Sequence, residues 1–345
     1  MTRVLLTGGS GFIATHVLEI LLSRGHSVVT TVRSLDKAEN IKKAHPDVGK
    51  DRLDFAIVPD IARLDAFDSA VVSEPPFEAV IHTASPFHYN VTDVQKDLLD
   101  PAIVGTTGIL KAIAKNAPTV KRVVITSSFG AITNPFKGLW PEHTYSEEDW
   151  NPLTQEQAVE NPARGYQASK AFAEKAAWDF VETAKPNFSL STINPPLVFG
   201  PAVQSLSSLN SLNTSSQYIR SFITGPPKEE IPPTMVNPIW IDVRDAALAH
   251  VLAAETVEAA GKRFFVTAGY FSNRKIVDII RQNFPEYHSV LPSESAKGGG
   301  NLLDLPEGGV FKINNERSID ILGLKYRSFE DCIVDTIRSF QSVGE

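Results

Sequence analysis

The chain of 345 residues carries a formal net charge of −7, with acidic and basic side chains interspersed, and a single cysteine, Cys332. That length suits a large doubly wound domain with a smaller one; the charge gives no basic footprint for nucleic acid or an anionic membrane surface; one cysteine excludes an intramolecular disulfide and a cysteine-rich zinc site. No apolar run reaches the roughly 18 residues of a membrane span and the first strand starts at once, leaving no room for a signal peptide, so the expectation is a soluble, cytoplasmic protein.

In chain order, Arg3 to Thr7 reads as an apolar strand, Gly8-Gly9-Ser10-Gly11 as a glycine turn, and Phe12 to Arg24 as an amphipathic helix. Gly8 permits a tight turn, Gly11 lets backbone approach a phosphate, and Ala14 lets the helix pack close to a sheet. The free N–H groups and dipole of that helix form an anion site suited to a pyrophosphate. Taken alone, the pattern also fits the glycine-rich turn of any βα unit.

Further strands are predicted at Ser27 to Val32, Leu53 to Val58, Ala79 to His82, Arg122 to Ser127 and Ser189 to Asn194. Helices are predicted at Lys37 to Ala44, Leu64 to Val72, Asp97 to Asn116 and Tyr166 to Thr183. This alternation implies βαβ units, a parallel doubly wound sheet and an α/β Rossmann fold.

Beyond Asn194 prolines punctuate the chain, and Gln204 to Ser216 is rich in Ser, Asn and Leu. A strand end and alanine-rich helix follow over Ile239 to Glu255, then a returning strand at Arg263 to Thr267. Helical pieces are expected at Ser272 to Asn283, Asp320 to Gly323 and Phe329 to Phe340, and a flexible loop tip at Lys297 to Gly300. The expected division is a nucleotide domain of residues 1–195 with a returning segment at about 239–268, and an interleaved, smaller C-terminal substrate-binding lobe of 196–238 and 269–345.

An NAD enzyme places an Asp or Glu on the ribose 2′-hydroxyl after the second strand. Here Thr30 and Thr31 stand there, followed by Arg33, Ser34 and Lys37, which points to a 2′-phosphate and NADP because a guanidinium grips phosphate oxygens bidentately. Asp36 and Glu39 leave an ordinary solvated surface as the alternative. Asp60 is placed either to accept from an adenine amino group or to cap the helix near Leu64. Small Ala84 and Ser85 leave room for a ribose-phosphate bridge over the fourth strand, and Phe87 is either a wall of the cleft or core.

The fifth strand ends in Thr126-Ser127-Ser128, at the sheet edge where open α/β folds bind ligands. Tyr166 and Lys170 follow at i and i+4 on one helix face. Carbonyl reduction needs a proton donor, a group that acidifies it and a second hydrogen bond to the oxygen. A free phenol titrates near ~10, and the Lys170 ammonium with an oxidised nicotinamide would lower it. Lys170 would also hold the nicotinamide ribose, while Ser128 would donate to the substrate oxygen. The eight histidines show no metal spacing, and no metal is expected. Trp178 and Trp240 read as core, and Arg244 and Asp245 as pairing or capping groups.

These residues resemble those of the extended short-chain dehydrogenase/reductases, and most closely the fungal NADPH-dependent methylglyoxal and aldehyde/ketone reductases, relatives of plant dihydroflavonol 4-reductases. The resemblance spans Thr7 to Ala14, Val58 to Ile61, His82 to Phe87, Thr126 to Ser128, Tyr166 to Lys170, Asn194 to Pro201 and Ile241 to Asp245. It implies a catalytic trio of Ser128, Tyr166 and Lys170. The NADP(H) site it implies comprises Thr7, Gly8, Ser10, Gly11, Phe12 and Ile13, with Arg33 and Lys37 on the 2′-phosphate, Asp60 and Ile61 at the adenine, Ala84, Ser85, Tyr166, Lys170, Pro195, Val198 and Ser215. The substrate pocket would draw on Phe87, Phe129 and Leu197, where relatives can carry a larger aromatic.

The function expected is NADPH-dependent reduction of a small-molecule aldehyde or ketone. Rival readings are a sugar-nucleotide epimerase or dehydratase that keeps NAD through its cycle, disfavoured by Arg33 and Lys37, and a non-catalytic NADP-binding regulator, disfavoured by the Tyr/Lys pair. The sequence leaves monomer against homodimer open.

Overall fold

The structure, a computed structural model, describes residues 2–85, 91–202, 209, 212–226, 228–300 and 309–342. Its first part runs β1 (Arg3–Thr7), α1 (Phe12–Ser23), β2 (Ser27–Val32), α2 (Leu35–Ala44), β3 (Leu53–Ile57), β4 (Ala79–His82), α3 (Asp100–Asn116), β5 (Arg122–Thr126), β6 (Thr144–Tyr145), α4 (Gln155–Ala158), α5 (Pro162–Ala184) and β7 (Ser189–Asn194). The remainder is β8 (Leu197–Phe199), α6 (Thr214–Ile223), β9 (Ile239–Asp242), α7 (Val243–Glu255), β10 (Lys262–Phe265), β11 (Gly269–Tyr270), α8 (Asn273–Asn283), β12 (Lys312–Ile313), α9 (Glu316–Asp320) and α10 (Phe329–Ser342).

Seven parallel strands pair in the order β10-β7-β5-β4-β1-β2-β3, a Rossmann-type sheet. Because alternate residues point to opposite faces, Val4, Leu6, Val28 and Ile81 pack with α1 and α7. Leu5, Val29, Val80 and Ile125 pack with α3 and α5 on the other face. Burial on both faces explains the near-continuous apolar strands. The returning segment enters the sheet as β10, in register with β7 from Lys262↔Ser191 to Phe265↔Asn194. A separate apolar core joins Phe199, α6, α8 and α10 around Trp240 and Phe271, and a small sheet β11-β9-β8 lies between these bodies in the chain.

The structure corrects several expectations. Leu64 to Val72 forms successive turns, with hydrogen bonds such as Ala66 N–H to the Arg63 carbonyl, in place of a helix. Asp60 accepts from the Ala62 N–H at 2.9 Å, and Asp65 pairs with Arg63, so aspartates compete locally for groups a helix would use. Phe67, Ala70 and Val71 still reach the core. The helix predicted at Asp97 to Asn116 begins with a wide π turn at Gln95–Leu99 before α3, since Pro101 has no N–H to donate. The helix predicted at Tyr166 to Thr183 starts four residues early at Pro162, capped by Asn161 Oδ1 accepting from Arg164 N–H at 3.0 Å. The fifth strand stops at Thr126, one residue short of Ser127. A helix at Asp320 to Gly323 is displaced to Glu316–Asp320. Lys297 to Gly300 is not a free tip: the Lys297 carbonyl accepts from Ile231 N–H at 2.9 Å, and Thr234 Oγ1 donates to the Gly299 carbonyl.

Candidate active site

The strand order reverses beside β1, which connects to β2 on one side and pairs with β4 on the other. Ligands bind in the crevice over the carboxyl ends at such a point. There Gly8 adopts φ +74°, and the Gly11 N–H returns to the Gly8 carbonyl at 2.8 Å. Thr31 Oγ1 accepts from the Gly8 N–H at 3.0 Å, so this residue clamps the turn to β2. A side chain at Gly8 would press on Ala84, and one at Gly9 would stand 2.0 Å from Thr30 Oγ1. The backbone is therefore bare where α1 presents its first-turn N–H groups.

A cavity of about 310 Å³ runs from this turn across β2 and β4, lined by Gly8, Ser10, Gly11, Thr31, Arg33, Lys37, Ile61, Ala84 and Ser85 among others. Arg33 and Lys37 are exposed at one end and the small residues form the floor. Bare N–H groups in the middle and cations at the rim fit the pyrophosphate and 2′-phosphate of NADP(H). Ile61 borders this space, whereas Asp60 is exposed and serves the turn. Thr7 lies beneath it, its Oγ1 shared between the Ala84 N–H and His82 Nδ1.

Continuous with the turn is a cleft of about 730 Å³. Phe12, Ile13, Tyr166, Leu197, Val198 and Ser215 all line it, which unites residues from α1, α5, β8 and α6. The sequence reading missed Thr83, Leu98, Pro162, Ala163, Asn213 and Thr214. Pro162 and Ala163 had a signal, since they precede Tyr166 by four and three residues on one helix. Ser215 spends its hydroxyl on the Val198 carbonyl at 2.5 Å, fastening α6 to β8. Pro195 is buried; its carbonyl accepts from Phe129 N–H at 2.8 Å, and its neighbour Pro196 faces the cleft.

Phe129 is not a cleft residue. It is 4% exposed and stacked on Phe265 at 5.3 Å within an aromatic core with Tyr145 and Phe311. The 3-10 turn that follows β5 rotates it inward. Phe87 lies outside the described residues.

Tyr166 projects into the cleft, 36% exposed, and is hydrogen-bonded to Ser128. Ser128 itself is set by a hydrogen bond from Gly130 N–H at 3.0 Å, and by Asn194 Nδ2 donating to its carbonyl at 3.3 Å. The Lys170 ammonium donates to Ser85 Oγ at 2.7 Å and lies 5.7 Å from the Tyr166 ring centre. Burial lowers its pKa to about 8. The lowering expected for Tyr166 is absent here: desolvation holds its pKa above the ordinary value, against the pull of the Ser128 hydrogen bond. A phenol so held stays protonated at neutral pH, as a proton donor must.

One turn after Lys170, the Glu174 carboxylate gathers groups from β7, β10 and the residue that follows β5. Ser127 Oγ, Thr192 Oγ1 at 2.9 Å, Asn194 Nδ2 at 2.7 Å and Arg263 Nε at 2.6 Å all donate to it. Arg263 also stacks 3.6 Å over Trp150. This anchors α5 to the ends of β5, β7 and β10, and so fixes the height of Tyr166 and Lys170 above the sheet. Arg244 and Asp245 are structural: Arg244 pairs with Asp242 and Asp335, each at 2.7 Å, and Asp245 with Arg327.

Residues 4–267 match the NAD dependent epimerase/dehydratase family. The chain belongs to that family. Within it, the chain is similar to the ketoreductase azaE of Aspergillus niger, with 44% identity over 98% of this chain and 97% of the relative. It is 41% identical to a putative NADPH-dependent methylglyoxal reductase, GRP2, of Candida albicans over 97% of each. Among solved structures, Candida albicans Gre2 in complex with NADPH superposes with a TM-score of 0.90 and 37% identity over all of both chains. Such agreement places this family member with the NADPH-dependent reductases of the extended short-chain type. No group of three or more His, Cys, Asp or Glu able to hold a metal occurs among the described residues, and no helix there is long and apolar enough to cross a membrane.

Proposed function

We propose that the protein is an NADPH-dependent carbonyl reductase that converts small aldehydes and ketones to alcohols through Ser128, Tyr166 and Lys170. The observation that carries this is the meeting, in one cleft continuous with the glycine turn, of a phenol bonded to Ser128 with a half-buried ammonium aimed at Ser85. NADPH, when bound, supplies the hydride for the carbonyl carbon. Tyr166 donates its proton to the carbonyl oxygen, and Ser128 donates a second hydrogen bond that steadies the developing negative charge. Lys170 holds the nicotinamide ribose and keeps a positive charge beside the phenol. Arg33 and Lys37 select the 2′-phosphate.

The apolar lining from Phe12 to Leu197 suits a neutral carbonyl compound such as a small α-dicarbonyl, a branched aldehyde or an aryl ketone. Residues 1–195 with about 239–268 act as the cofactor lobe, and 196–238 with 269–345 as the substrate lobe. A reducing compartment, the cytoplasm, suits the lone buried thiol of Cys332.

The test is Tyr166→Phe. It removes the proton donor and keeps the ring, so kcat on a reactive aldehyde is expected to fall about 10²–10⁴-fold with an unchanged circular dichroism spectrum. Wild-type turnover in that variant would overturn the mechanism. Net consumption of NADPH with an aldehyde separates this reading from an epimerase that retains NAD.

A further inference from the structure

His82 ends β4, 2% exposed, and takes no part in the mechanism above. Its Nδ1 lies 2.8 Å from Thr7 Oγ1. That hydroxyl already accepts the Ala84 N–H, and among its described neighbours Nδ1 is the acceptor for its proton. With the Thr7 proton assigned to Nδ1, neutral His82 carries its own hydrogen on Nε2. Burial and the Lys170 charge hold its pKa down at about 3, which keeps it in that form. No described protein atom accepts from Nε2, although a buried donor left unsatisfied is costly.

On the same face of the sheet, behind Lys170, lies a small cavity lined by His82, Thr106, Ser127, Lys170 and Glu174 among others. It offers about 20 Å³ to the centre of a water molecule, more than the roughly 10–15 Å³ that one water needs. The lining is polar on several sides. The Lys170 ammonium has three N–H groups and spends one on Ser85, and the hydroxyl oxygens of Thr106 and Ser127 can accept. Glu174 is already engaged by Ser127, Thr192, Asn194 and Arg263.

We infer that this cavity is a built site for a single water molecule, which accepts from His82 Nε2–H and from Lys170 Nζ–H, and that His82 is thereby a positioning residue for Lys170. The inference rests on the reading of Lys170 as the group that holds the ribose and the positive charge beside Tyr166. The ammonium is then held in front by Ser85 and behind by the water. Charged or titratable groups that face this site are Lys170 and Glu174 on α5, with Tyr166 one turn away and Arg263 behind Glu174. The water serves His82 Nε2–H and a further Lys170 N–H at once, so losing His82 Nε2–H loosens the acceptor on which the Lys170 charge depends.

A crystal structure of the protein with NADPH, at a resolution that places ordered waters, is expected to show one water within hydrogen-bond distance of His82 Nε2 and Lys170 Nζ. Density that is absent there, or a water bonded to neither, overturns the inference. The functional arm compares two substitutions. His82→Gln puts an amide N–H near the reach of Nε2, and His82→Asn keeps an acceptor for Thr7 and loses that donor. On a reactive aldehyde with saturating NADPH, His82→Gln is expected to keep the alkaline limb of the kcat/KM pH profile. His82→Asn is expected to shift that limb to lower pH and to lower kcat about tenfold, with NADPH fluorescence and melting temperature as folding checks. Equal profiles for both variants overturn the role of Nε2. Lys170→Met with wild-type kcat would instead sink the reading of Lys170, whatever His82 does. If His82→Asn does not fold, the wild-type crystal structure still decides.

Discussion

Arg33 and Lys37 stand exposed at the rim of the cofactor cavity, and Thr31, where an NAD enzyme carries its acid, is engaged by the Gly8 N–H. In the role proposed for them they give a charge-assisted grip on one phosphate. Arg33→Ala with Lys37→Ala is expected to raise the KM for NADPH at least about tenfold and to leave that for NADH nearly unchanged. An equal loss for both cofactors in steady-state assays would count against the assignment. A second residue-scale outcome concerns acid. His82 and His250 are buried neutral, with pKa values lowered from 6.5 to about 3 and about 4, chiefly by desolvation. The unfolded chain therefore binds protons that the native one does not as pH falls from 6.5, and stability is lost toward acid across that window. Urea midpoints are expected to drop already between pH 6.5 and about 5, above most carboxylate titration. His250→Gln should flatten that drop, and an unaltered slope would refute it. That Ser128, Tyr166 and Lys170 meet was legible because the chemistry proposed for them fixes their types and the helix repeat fixes the spacing of the last two. Phe129 was not: its neighbours Tyr145, Phe265 and Phe311 arrive from distant parts of the chain, and only tertiary packing turns its ring inward.

At the scale of elements, the strands of the seven-stranded sheet were readable to within one or two residues, since burial makes them largely apolar, whereas the short strands β6, β8, β11 and β12 carried no such signal. The stretch from Leu64 to Val72 has apolar residues enough for a helix, but Asp60 and Asp65 draw backbone and side-chain partners locally and hold it in turns. The start of α5 carried a sequence signal, Asn161 before Pro162, which the position of Tyr166 eclipsed. What no local pattern announces is the Glu174 cluster, because its donors lie just past β5 and on β7 and β10. Replacing Glu174 by Ala would leave the Arg263 guanidinium buried without its carboxylate, a loss of roughly 3–5 kcal/mol. Chemical denaturation should register that loss, and kcat should fall as α5 shifts on the sheet. A variant within experimental error of wild type in both would show the cluster to be incidental.

Across the whole molecule, the interleaving of chain segments is the feature with the widest reach. The carbonyl of Pro201 meets His16 of α1 at 3.1 Å, and the Ala202 N–H donates to Ser339 on α10, so the segment beyond β8 is tied both to the first helix and to the last. Strand β10 closes the sheet only after α6, β9 and α7 have been made, and Arg263 reaches Glu174 across 89 residues. That separation has a consequence in time. At a synthesis rate of about 5–20 residues per second, the carboxylate that anchors α5 waits several seconds on the ribosome before its counterion emerges. A nascent chain arrested with β10 still inside the exit tunnel is expected to be cut readily by protease within α5. One arrested after Phe265 has cleared the tunnel should resist, and equal sensitivity of the two would show that the helix seats itself without its distant partner.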